Sequence, residues 1–140
     1  MELASFNSGQ EQNEDQHIMT LQDFKNVPRD VRLSMANKVL TSTSLRLRDK
    51  VPVVLIKHNK SKLKQLPRFR MLISKQQTIL SILQMIRKEL EDNPNYSYTM
   101  FTNDGAQVLS AVYTFEDVYY KHKSDDGFLY LQYAEQESFG

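Results

Sequence analysis

The sequence contains no cysteine. That absence removes any disulfide framework, thiolate metal ligand or nucleophilic thiol, and it leaves the chain indifferent to a reducing compartment such as the cytosol. Three histidines, His17, His58 and His122, show no spacing typical of a metal site and are expected to be solvated. A glycine-rich phosphate loop is missing, and no Ser/His/Asp arrangement can be drawn. The expectation is therefore no metal, no resident cofactor, no catalytic residue and no enzymatic activity. No apolar run approaches the roughly 18 residues that span a bilayer. Residues 1–17 lack the basic region and apolar stretch of a secretory signal. The chain is expected to be neither secreted nor membrane-spanning by itself.

What is present suits one domain: 140 residues, 40% of them hydrophobic and 25% charged, enough to bury a core. The net charge is only +1, yet the charges are sorted along the chain. Residues 1–45 hold six acids and four bases, 46–88 hold one and twelve, and 89–140 hold ten and two. A basic middle beside an acidic C-terminal third makes a dipolar surface that can orient the domain toward an anionic partner or membrane. Within the basic stretch 57–70 the sole aromatic residue is Phe69, too little stacking surface for a nucleic-acid partner.

Residues 1–19 are polar and acidic without apolar periodicity, which predicts a flexible tail. Thr20 followed by Asp23 has the form of a helix cap, and Pro28 suits the first position of a second helix in which Val31, Met35 and Val39 recur at i, i+4 and i+8. These helices make up a region from 20 to 48. The runs VPVVLI (51–56) and FRMLIS (69–74) read as strands of a hairpin with a long turn. Thr78 can cap a helix carrying Ile79, Ile82, Leu83, Ile86 and Leu90, stopped at Asn93-Pro94. Tyr96 to Phe101 then reads as a strand, Thr114 caps a short helix, and Asp125-Asp126-Gly127 turns into Phe128 to Tyr133. A hairpin, a helix crossing one face and two further strands describe an α+β fold. The element order is that of a ubiquitin-like β-grasp, a four-stranded mixed sheet on a central helix with two extra N-terminal helices, expected to span 49–134 and to be followed by a flexible tail over 135–140.

Four motifs make the reading specific. Lys50-Val51-Pro52-Val53-Val54 resembles the opening strand of the autophagy-related protein 8 family, the GABARAP and microtubule-associated light chain 3 modifiers. Met85-Ile86-Arg87-Lys88-Glu89-Leu90 resembles that family's basic helix end, Asp126-Gly127-Phe128-Leu129-Tyr130 its last strand, and Glu137-Ser138-Phe139-Gly140 its terminus. The resemblance covers 49–140 by motif and 20–48 by pattern.

That resemblance implies an autophagy modifier joined through Gly140 to phosphatidylethanolamine, with Phe139 recognised beside it. Gly140 would be activated and passed as a thioester between partner enzymes, leaving the domain in the cytoplasm and on the autophagosome membrane. Relatives mostly extend past this glycine and are trimmed by a cysteine protease, which also delipidates them; here the chain is either encoded ready or already trimmed. A glycine carbonyl, with no Cβ beside it, is open to attack.

The resemblance also implies cargo receptors and autophagy proteins that dock short aromatic/aliphatic motifs on the edge of FRMLIS. A first pocket would use Lys50, Pro52, Val54, Arg70, Leu72 and Phe128, and a second, for an aliphatic side chain three residues later, Met71, Ile73, Ile82, Met85 and Ile86. Arg87 and Lys88 would pair with acids flanking the motif. Departures from the family pattern are Ser74 for a usual proline, Met71 for a frequent phenylalanine and Glu89 for a common base, and they bear on ligand selectivity. Two alternatives stay open: a modifier attached to protein, a class that generally ends in Trp-Gly, or an unconjugated peptide-binding adaptor.

Overall fold

The computed structural model describes the backbone of 4–5 and residues 19–90 and 97–136. In chain order the elements are β1 (Ala4–Ser5), α1 (Leu21–Lys25), α2 (Arg29–Leu40), β2 (Lys50–Lys57), β3 (Arg70–Ser74), α3 (Ile79–Leu90), β4 (Tyr98–Thr102), α4 (Phe115–His122) and β5 (Leu129–Glu135). The sheet order is β1-β3-β2-β5-β4. β2 is antiparallel to β3 and parallel to β5, and β4 returns antiparallel along β5. This is the expected four-stranded mixed β-grasp sheet, with one further strand laid on its β3 edge.

β2 is buried on both faces, which is why its sequence is a continuous β-branched run rather than an alternation. Val51, Val53 and Leu55 face the core built with Ile79, Ile82 and Ile86 of α3 and with Leu129, Leu131 and Tyr133 of β5. Val54 faces the opposite way, into a second cluster with Phe24, Ala36, Phe69 and Phe128. Leu55 N–H donates to Phe69 O at 2.7 Å, and bonded pairs recur every second residue of an antiparallel ladder, so Val53–Met71 and Val51–Ile73 are bonded pairs too. Pro52 therefore falls at a non-bonded position opposite Leu72 and forfeits no bond to β3 for lack of an N–H.

Thr20 and Asp23 form the anticipated capping box: the Asp23 amide donates to Thr20 Oγ1 at 3.0 Å and the Thr20 amide donates to Asp23 Oδ2 at 3.1 Å. Thr78 Oγ1 accepts from the Ser81 amide at 3.2 Å, and α3 buries Ile79, Ile82, Leu83 and Ile86 at the spacing read from the sequence. Its proposed stop at Asn93-Pro94 lies outside the described residues.

One pairing was not anticipated and two expectations are corrected. Within the tail read over 1–19, Ala4–Ser5 pair antiparallel with β3, Ala4 opposite Leu72 and Ser5 opposite Met71. Backbone pairing needs no hydropathy pattern, so composition alone could not reveal it. Pro28 is the N-cap of α2 rather than its first residue. The stripe of α2 is also different: Val31 is 45% exposed, whereas Ala36 is fully buried. The reason is Gly127, at φ +88, where an added Cβ would lie 2.7 Å from Ala36 Cβ. A small residue meets a missing side chain, and the helix backbone comes close.

Candidate functional site

The site is built from the outer edge of β3 and what flanks it. Because Met71 and Ile73 bond to β2, the backbone groups of Arg70 and Leu72 point to the other side of the strand. That side is the edge on which an extended chain can be added.

One flank is the sheet face beneath α1. Val54, Leu72 and Phe128 are buried there, Pro52 with them, and Arg70 is 4% exposed. Its guanidinium lies 5.2 Å from the Phe24 ring centroid and 5.7 Å from that of Phe69, and burial lowers the Arg70 pKa from its ordinary value. Phe24 meets Phe128 edge-on at 5.2 Å. An aromatic ring of this chain thus stands where the first pocket is expected, which the sequence did not signal. Lys50, placed in that pocket by resemblance, instead lines a separate cavity of about 400 Å³ together with Arg48, Lys75, Tyr119, Tyr120 and Lys123.

The other flank lies between β3 and α3. A groove of about 450 Å³ is lined by Arg68, Met71, Ser81, Gln84, Met85, Lys88 and Glu89. Of the expected second-pocket residues, Met71 and Met85 reach the groove, while Ile73, Ile82 and Ile86 are fully buried beneath it. The two expected charge contacts separate. Lys88 stands on the rim, but the Arg87 guanidinium lies 5.2 Å from the Tyr98 ring, toward β4. Arg68, which sequence reasoning missed, joins Lys88 at the groove.

The D-G-F-L-Y segment holds the first flank in place. The buried Asp126 carboxylate accepts from the Phe128 amide at 2.9 Å, from the Tyr130 hydroxyl at 2.5 Å and from Arg32 Nε at 2.9 Å. The hydrogen bond to Asp126 raises the Arg32 pKa, and burial, followed by the bond to Asp126, raises that of Tyr130. Arg32 also donates to the Val27 carbonyl, fixing the α1–α2 turn. His58 is not solvated: its ring packs on Phe101 at 5.3 Å and Nδ1 accepts the Lys60 amide at 3.1 Å. Among the described residues no group of histidines and carboxylates is arranged to hold a metal.

The conjugation residues Phe139 and Gly140 lie outside the described residues. The model of the family "Autophagy protein Atg8 ubiquitin like" matches residues 32–140. The chain belongs to the Atg8 family. Curated relatives include autophagy-related protein 8 of Saccharomyces cerevisiae (strain YJM789), 28% identical over 95 residues, covering 68% of this chain and 80% of that one. Another is autophagy-related protein 8d of Arabidopsis thaliana, 27% identical over 96 residues, 66% of this chain and 75% of that one. The crystal structure of Trypanosoma brucei ATG8 superposes with a TM-score of 0.71 at 28% identity, covering 83% of this chain and 95% of that one. An Atg8 protein is a ubiquitin-like protein of autophagy, and its partners belong to the autophagy machinery. No helix among the described residues is long and apolar enough to cross a membrane.

Proposed function

We propose that this Atg8 protein is joined through Gly140 to phosphatidylethanolamine on autophagosomal membranes, where its β3 edge captures short aromatic/aliphatic motifs of cargo receptors and autophagy proteins. The observation that carries the reading is that the family match runs through the C-terminal region to Gly140, with Phe139 before it. Residues 136–140 extend at most about 17 Å when stretched, enough to thread a terminal glycine into an enzyme's active site away from the folded domain. The chain supplies the carboxylate; activating and conjugating enzymes supply the nucleophilic thiols, which a cysteine-free chain cannot, and a cysteine protease of the same system releases the lipid. A lipid with two acyl chains gives stable anchoring, since each buried methylene contributes about 0.8 kcal/mol and one short chain holds only marginally.

For the captured peptide, the added strand bonds to Leu72 and Arg70, an aromatic side chain goes to the Phe24–Phe128 flank as Phe24 gives way, and an aliphatic one goes to the Met71–Met85 groove. Trypsin cleavage after Lys123 releases residues 124–140. Mass spectrometry of protein from the membrane fraction should find this peptide with phosphatidylethanolamine on Gly140. A membrane fraction holding only the unmodified peptide rejects lipid conjugation.

A further inference from the structure

β3 does not present an empty edge. Ala4 sits opposite Leu72 and Ser5 opposite Met71, and Leu72 is a residue whose backbone donor and acceptor the β2–β3 ladder leaves pointing outward. Ala4 and Leu72 thus form the bonded pair of the β1–β3 ladder. The backbone groups that a docking peptide needs are those that β1 occupies.

We propose that the N-terminal segment is an intramolecular competitor for the docking edge: the Ala4–Ser5 strand must leave β3 before an extended peptide can be added. The proposal rests on the reading of β3 as the docking edge.

Four further observations fit this occupant. Among the described residues β1 has two, so it forms few bonds and can be displaced, unlike the long ladders of β2 and β5. It is tied by residues 6–18 to the start of the folded domain, and a short tether gives an effective concentration on the order of millimolar, so weak pairing suffices to compete. The residue types also correspond. Along β3 the aromatic flank lies at Arg70 and the aliphatic groove at the Met71–Ile73 end, so a segment running antiparallel must carry its aliphatic residue first. In the sequence the paired dipeptide is bracketed by Leu3 and Phe6, aliphatic then aromatic, three residues apart. The order is that of a docking motif reversed. Residues 1–18 also contain four acids and no lysine or arginine, complementary to Arg68, Arg70 and Lys88 beside the edge.

The test uses the full chain with a proline at either β1 position. Ala4→Pro removes the amide that faces β3. Ser5→Pro removes one that points away from β3 and is the control. Amide hydrogen exchange reads the pairing without any ligand, and calorimetric titration with a short synthetic peptide, acidic residues followed by an aromatic residue and an aliphatic one three positions later, reads the competition. In Ala4→Pro the Leu72 amide should exchange faster, β2 and β5 amides should be unchanged, and the peptide should bind about 3–10-fold tighter, the factor by which a largely occupied edge lowers apparent affinity; Ser5→Pro should follow the parent chain. Unchanged Leu72 exchange in Ala4→Pro overturns the proposal, and so does faster exchange with equal affinity. Faster exchange with no binding to any of the three chains overturns the docking reading itself, and with it the competitor.

Discussion

Arg32 Nε and Asp126 Oδ2 stand 2.9 Å apart, fastening α2 to the turn that opens β5. The carboxylate is 2% exposed and the guanidinium side chain 21%, so the pair is far from a solvated surface bridge. Asp126 also accepts the Phe128 amide and the Tyr130 hydroxyl, and its removal leaves three donors short of a partner. Asp126→Ala is expected to lower unfolding free energy by about 3 kcal/mol, the cost of stranding the partner of a buried ion pair. Urea denaturation of the two chains checks it, and a midpoint within error of the parent would show that the three donors find other acceptors.

Gly127 is expected to tolerate no side chain. Its φ of +88 and the 2.7 Å approach of Ala36 Cβ act together, and Gly127→Ala should cost about 2 kcal/mol from strain and overpacking. Ala36→Gly relieves the overlap and not the backbone strain. The double variant should therefore regain part of the loss, and a double-mutant cycle should give a coupling energy above about 0.5 kcal/mol. Additive effects would mean that α2 is not held by this contact.

Tyr133 is buried, donates to the Lys64 carbonyl at 2.6 Å and accepts the Leu66 amide at 2.8 Å, so it secures the long β2–β3 connection. Burial pushes its pKa up to about 12, and burial does the same to Tyr119. Both folded-state values lie above the ordinary tyrosine value of about 10. The stability they contribute is full below pH 10 and is lost as the pH rises from about 10 toward 12. Tyr133→Phe should lower stability at neutral pH by about 1–3 kcal/mol through two unpaired backbone groups and flatten the alkaline loss. Denaturant titrations at pH 8, 10 and 11 check both effects.

Charge reversal at the groove separates two neighbouring bases. Lys88 is on the rim with Arg68, whereas Arg87 lies over Tyr98. On the proposed docking, Lys88→Glu and Arg68→Glu should each weaken an acidic aromatic/aliphatic peptide about 5–10-fold, a loss in keeping with charge complementarity at an interface, and Arg87→Glu should change it less than about 2-fold. Calorimetry with the same peptide decides. Equal losses at 87 and 88 would place the acidic residues of the ligand along the whole helix end rather than at the groove.

The parts of the fold that depend on local patterns were legible before the structure. VPVVLI, the Ile79–Leu90 stripe and the Thr20/Asp23 and Thr114 caps each carry their element in their own residues. What escaped depends on pairs distant in sequence. Ala36 becomes core because Gly127, ninety-one positions later, has no Cβ. His58 is enclosed by Phe101, and Phe24 fills the flank by meeting Phe128. β1 joins the sheet by pairing with a strand more than sixty positions later. At the candidate site, alternation placed Met71 and Ile73 on one face, yet it could not tell the half-buried Met85 side of α3 from the enclosed Ile82 and Ile86 beneath it, nor send Arg87 and Lys88 to different sides of the helix. The conjugation residues were read from motif alone.

Lipid conjugation through Gly140 is decided by comparing the full chain with Gly140→Ala in starved cells, each carrying an N-terminal fluorescent tag. The parent chain should give puncta and a membrane-bound, faster-migrating band and the variant neither; identical behaviour of the two chains would rule out conjugation at this glycine.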